Sequence, residues 1–326
     1  MKKIILILTL LLAIFSIFSQ NTNKAVIACT YDYMQALKTG KSIANDSDSL
    51  IRYLVVISDG FEEKSGFSTA LKEAFTTKRN VLVYIHGDET SIDALVKRGY
   101  DFTNSYNVNT IIFAWPSLKT EKNSIENFHI SKHNTDLYFK HFVQLTDSIR
   151  SYVNEEGVEV SILFHSLGNK YAENYVDYLM SNDNLNTPFS NIILNAACVH
   201  AQYHYVWVEE LSKRINNKIF IIYNGKDKIL DMASIFIEGR PLLGRNPGNH
   251  RAPMAIYLDF TDVLKENNED KKLDRYPKSH DYFYSEYLTG CPHLKAIYTS
   301  LFNSKTPDFS NTDIFQKTSS GFSVKR

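Results

Sequence analysis

The chain has 326 residues, 44% of them hydrophobic, enough to bury a full core as one large α/β domain or two smaller ones. Thirty-six Lys and Arg offset 36 Asp and Glu, so no overall field draws the protein to nucleic acid or to an anionic surface. Twenty Tyr and 20 Phe beside only 13 Gly exclude a low-complexity polymer.

Lys2 and Lys3 precede the apolar run Ile4–Phe15, after which the chain turns small and polar through Lys24. This is the layout of a secretory signal. Residues 1–20 are expected to be such a signal, cleaved on export to a periplasmic, cell-surface or secreted location. The rival is an uncleaved anchor, since the run approaches the roughly 17–20 residues needed to span a bilayer. No Cys flanks the cleavage zone, which argues against lipid attachment, and a buried helix fits poorly because the run has no polar face. Residues 21–50 read as an N-terminal extension.

From Tyr53 onward, strand-like and helical patterns alternate. Tyr53–Ser58, Val81–His86, Thr110–Trp115, Val158–Phe164, Asn191–Ala196 and Lys218–Tyr223 are short, β-branched or aromatic, and almost continuously apolar. Such runs suit strands covered on both faces. Helical patterns fall at Ser91–Lys97, Thr135–Asn154, Lys170–Met180 and Tyr205–Ile215. The alternation implies right-handed crossovers and an α/β fold, a mainly parallel sheet with helices on both faces, over residues 51–303. Asn246–Pro253 and Lys265–Lys272 read as surface loops, and residues 304–326 as a polar, loosely held tail. Cys29, Cys198 and Cys291 form no disulfide framework; one bridge is compatible with the count, and Cys198 reads most simply as a small buried hydrophobe.

The chemistry-bearing residues follow the same order. His86-Gly87-Asp88 leaves an early strand. In α/β-hydrolases such a turn supplies an oxyanion donor, here the Asp88 N–H; the plainer reading is a turn that uses glycine for its conformational freedom. Phe164-His165-Ser166-Leu167-Gly168-Asn169 joins a strand to a helix in the manner of a nucleophile elbow, which exposes the Ser166 hydroxyl and aims the Leu167 N–H at the same oxyanion. His165 is expected to point away from the nucleophile and serve structure. The usual small residue two before the serine is Phe164 here, where strand and helix backbones are expected to approach. A ring there must be accommodated.

His200 and His204, at i and i+4, could face a metal but lack the adjacent glutamate of the zincin pattern, so no metal site is assigned. Asp227 leaves a late strand in the turn Asn224–Asp227 and can serve as triad acid or as a helix N-cap; Asp231 is the weaker candidate. His280, in Ser279-His280-Asp281, follows in the chain order Ser, Asp, His, with His250 and His293 as rivals.

Together these segments resemble the bacterial α/β-hydrolase family catalogued as domain of unknown function 900, over roughly Asn80 to Tyr287. The likeness rests on the strand ending in His86-Gly87, the strand end Phe113-Ala114-Trp115-Pro116-Ser117, the elbow at 164–169, Asp227 in YNGKDKILDMAS, and His280 in SHDYF. It departs at Phe164 and in the Gly225-Lys226 spacing before the acid. The resemblance implies a serine-hydrolase triad of Ser166, Asp227 and His280, supported by His86, Gly87, His165 and Gly168, with no cofactor and no named substrate.

The expected function is a serine hydrolase, esterase- or lipase-like, acting on a small or acylated substrate and not on nucleic acid. Its rivals are a catalytically impaired binding protein, motivated by Phe164, and a peptidase on the same triad.

Overall fold

The computed structural model describes residues 23–42, 50–57, 60–117, 123–182, 185–264, 280–284, 288, 291–319 and 321–325. The expected signal segment and the charged stretch Lys265–Lys272 lie outside them. No helix among the described residues is long and apolar enough to cross a membrane.

The described residues form one sheet of eleven strands, in the order β10-β11-β9-β8-β7-β6-β4-β5-β1-β2-β3. These are β1 (Ala25–Cys29), β2 (Arg52–Ile57), β3 (Gly60–Lys64), β4 (Val81–Ile85), β5 (Asn109–Ala114) and β6 (Val160–His165). Then come β7 (Asn191–Asn195), β8 (Lys218–Tyr223), β9 (Ala255–Asp259), β10 (Phe315–Thr318) and β11 (Gly321–Val324). Every pairing from β9 across to β1 is parallel. Antiparallel pairs occur only toward the edges, β1 with β2, β2 with β3 and β10 with β11. All residues of β4, β5, β6 and β7 are buried. Helices cover both faces of these strands, which is why they read as unbroken apolar runs.

Helices connect the strands: α1 (Tyr33–Thr39), α2 (Phe67–Ala74), α3 (Ile92–Ser105), α4 (Ser124–Leu137), α5 (Phe139–Glu156), α6 (Asn169–Met180), α7 (His204–Ser212), α8 (Lys228–Ala233) and α9 (Pro292–Phe302). Ser91 caps α3 by accepting from the Ala94 N–H, and Gly157 ends α5 with φ 60°. The helix expected over Thr135–Asn154 is two: Tyr138, at φ −94° and ψ 4°, separates α4 from α5.

Two parts set aside as peripheral belong to the sheet. Ala25–Cys29, from the expected extension, is fully buried between β5 and β2. In the expected polar tail, β10 and β11 form a hairpin that buries Phe315 and Val324 and stacks Phe309 on Phe322 at 4.3 Å. Only one residue of each strand is buried, so the hairpin's composition stays polar.

The chain winds from β4 toward β5 in one direction and from β6 to β9 in the other. Sheets of this kind place their ligand sites at such a reversal, and His86-Gly87 and Ser166 emerge there, at the carboxyl ends of β4 and β6.

Candidate active site

Ser166 opens a three-residue 3-10 turn between β6 and α6, with φ 52°. A left-handed serine is uncommon and persists only where its surroundings over-determine it. Here the Asn169 amide donates to Phe164 O and Ser166 O, both at 3.0 Å, and to Asn195 O at 3.3 Å. The Cys198 N–H adds a bond to Ser166 O at 3.0 Å.

The close approach expected at position 164 lies elsewhere. A β-carbon on Gly168 would stand 2.5 Å from His86 O, and one on Gly87 would stand 2.7 Å from Ser166 Cβ. Phe164, 1% exposed, packs edge-on against Phe142 of α5 at 5.9 Å. Strand parity sends the ring into an aromatic layer with Tyr171 and Tyr175, and the turn keeps its shape.

Asp227 follows β8 and is fully buried. Its Oδ1 accepts from the Leu230 N–H at 3.0 Å, capping α8, while Oδ2 pairs with His280 Nδ1 at 2.7 Å. One residue therefore both caps α8 and pairs with His280. Burial acts to lower the His280 pKa, but the Asp227 carboxylate outweighs it and holds the imidazole above its ordinary value. With Nδ1–H donating to Asp227, Nε2 is left as the basic nitrogen.

His165 packs against this pair. Its buried ring lies 4.8 Å from that of His280 and 4.8 Å from Phe283, with Nε2 3.3 Å from the Asp281 carboxylate. Since His165 directly precedes Ser166, this contact brings the His280 ring to the elbow. Burial, reinforced by His280, keeps His165 neutral.

His86 is part of the scaffold. It stacks on Trp115 at 5.1 Å, accepts the Trp115 backbone N–H at Nε2 (3.1 Å) and bonds Gly87 O through Nδ1 (2.7 Å). Burial lowers its pKa to about 3, so it stays neutral. Ser117 O accepts from the Glu89 N–H at 2.7 Å, which explains why the Trp-Pro-Ser strand end accompanies the His-Gly turn. Leu167 is buried within the 3-10 turn, and Asp88 is half-buried beside Gly87, which abuts Ser166.

Three supporting residues carried little or no sequence signal. Arg98 of α3 sits over Tyr284 at 4.9 Å and donates to Tyr84 Oη and Thr90 Oγ1. Thr90 Oγ1 in turn bonds Gly87 O and Asp88 O, so Arg98 props the turn beside Ser166. Gly244 packs where a β-carbon would stand 2.1 Å from Ala197 N. Asn169 was visible only as the last residue of the elbow motif.

The rival residues are engaged elsewhere. Asp231 pairs with Arg245 at 2.9 Å, exposed His250 faces Tyr205, and His293 lies on α9. His200 bonds Glu238 at 2.9 Å, whereas His204 bonds Ala201 O and Tyr257 Oη, both at 2.7 Å, so the two do not converge. All three cysteines are free; burial raises the Cys29 thiol to about 12, leaving it inert.

A serine in this conformation, at the point where a mainly parallel sheet reverses its winding, is the arrangement of α/β-hydrolases, and the molecule is of that class. The chain belongs to the family described as alpha/beta hydrolase of unknown function (DUF900), whose model matches residues 60–256, more than half of the 326. Ser166 and Asp227 fall within the match and His280 beyond it. No curated protein matches the chain.

Proposed function

We propose that this hydrolase is a serine esterase using Ser166, His280 and Asp227. Ser166 Oγ attacks the acyl carbon while its proton passes to His280 Nε2. The alcohol then departs with that proton, and water cleaves the acyl-enzyme by the same route in reverse. Asp227 keeps Nδ1 protonated and steadies the imidazolium, and the Leu167 and Asp88 N–H groups hold the oxyanion.

The observation that carries this reading is the 2.7 Å bond from His280 to Asp227, on a ring packed against the residue before the left-handed Ser166. The placement of Phe164 away from the turn favours a working elbow over an impaired one.

A fluorophosphonate probe and a short p-nitrophenyl ester provide the test. Wild type should be labelled at Ser166 and turn the ester over. Ser166→Ala should abolish labelling and lower turnover by about 10⁴-fold or more. Labelling that survives the substitution, or a wild type inert in both assays, would remove the assignment.

A further inference from the structure

Immediately after Asp227 the chain presents a face that the proposed chemistry leaves unused. From Lys228 the helix α8 runs into a π-helical turn, Ser234–Glu238. Its inner side buries Leu230 and Ala233 and lays Ile237 against the core. On its outer side Met232, Ile235 and Phe236 are 60%, 63% and 67% exposed. Isolated surface hydrophobes need no explanation, but three large ones on adjacent turns of one short segment do.

The charges around this stripe are one-sided. Exposed Lys226, Lys228 and Arg240 flank it and form no ion pair among the described residues. The segment's carboxylates after Asp227 are both paired. Asp231 pairs with Arg245 at 2.9 Å, and Glu238, with its side chain only 8% exposed, holds Lys132 at 2.6 Å and His200 at 2.9 Å. A chain of zero net charge thus carries a local patch of three uncompensated cations around an apolar ridge.

We propose that this face docks on an anionic lipid surface, with Met232, Ile235 and Phe236 entering the acyl boundary and the three cations meeting the headgroups. The three side chains are more than half exposed, and a bilayer accepts such a projecting apolar ridge without the shaped pocket a protein partner would need. Phe236 lies nine residues beyond Asp227, about 13 Å at the helical rise, so docking would hold the candidate site close to lipid-borne acyl groups. The binding claim itself does not require catalysis.

Vesicle co-sedimentation of the full-length chain tests it, using phosphatidylcholine alone and an equal mixture with phosphatidylglycerol. Because every variant keeps the same N-terminal segment, differences between variants isolate this face. Wild type should bind the anionic vesicles about 10-fold or more tightly than the neutral ones, with the excess falling as salt rises. Ile235→Ser with Phe236→Ser should weaken binding to both vesicles by about 10-fold or more. Lys228→Glu with Arg240→Glu should remove the anionic preference alone. All four positions are exposed, so melting temperatures should match wild type, and Phe236→Tyr should retain binding. Equal binding by wild type and both double variants would overturn the proposal. So would a wild type that sediments with neither vesicle, as expected if the face instead meets a protein.

Discussion

Asp227 uses its two carboxylate oxygens for different purposes, one capping α8 and one holding His280, and single substitutions separate them. Asp227→Asn keeps an acceptor for the Leu230 N–H. Its amide, turned toward His280, would favour the tautomer with the proton on Nε2, the wrong one for a base. We expect kcat to fall about 10³–10⁴-fold with stability nearly unchanged, whereas Asp227→Ala should also lose about 1 kcal/mol of cap. The same contact sets the pH profile. The proposed base, His280, works neutral, and Asp227 raises its pKa, so kcat/KM in wild type should rise with pH through a midpoint above the ordinary 6.5 of histidine. The pair also stabilises the fold fully below that ordinary value, and this contribution is lost as pH rises through the raised one. An Asp227→Asn enzyme keeping kcat within tenfold of wild type would remove His280 from the role of base.

Among elements, the contact between the elbow and β4 governs the geometry. Gly168 has ordinary helical dihedrals, so Gly168→Ala strains no backbone angle; its methyl instead meets His86 O at 2.5 Å and Ile85 O at 2.7 Å. β4 and the turn must move apart, at a cost of about 1–3 kcal/mol. A shift approaching 1 Å at Ser166 should lower esterase activity about 100-fold, while circular dichroism reports an intact fold. Activity within a few-fold of wild type would show that the elbow does not depend on this approach. The central strands from β4 to β8 were legible within about two residues because burial on both faces writes itself into an apolar run. β1 is equally short and its helix α1 spans only seven residues, β9 follows a long stretch without a helical pattern, and the β10–β11 hairpin buries only Phe315 and Val324. In the site, Ser166 and Asp227 stood in local motifs and His280 followed from chain order. Arg98 and Gly244 act through contacts with residues distant in the chain, which no local pattern encodes. The close approach expected at Phe164 lies at Gly168 and Gly87, because the ring's direction depends on strand parity and on which helix covers that face.

The molecule as a whole keeps at least two histidines neutral in its interior, and this makes acid its weakness. Burial pushes His86 down to about 3 and His165 well below 6.5, whereas both protonate near 6.5 in the unfolded chain. Between these limits the unfolded state binds more protons, so stability must fall as pH drops below 6.5. The slope for each such histidine approaches about 1.4 kcal/mol per pH unit only well below 6.5, so His86 alone removes about 1.5–2 kcal/mol between pH 6.5 and pH 5, and His165 adds to it. That is a large share of the roughly 5–15 kcal/mol that holds a typical domain folded. His280 does not oppose the loss, since a group with a raised pKa contributes a constant amount below 6.5. Urea unfolding at pH 7 and pH 5 should show the drop directly. His165→Phe, which retains an aromatic ring beside Phe283 and His280, should make the drop smaller. Equal stability at the two pH values would mean that these rings reach water and protonate in the folded state, and the packing that joins the elbow, His280 and the His86–Trp115 stack would then be looser than drawn.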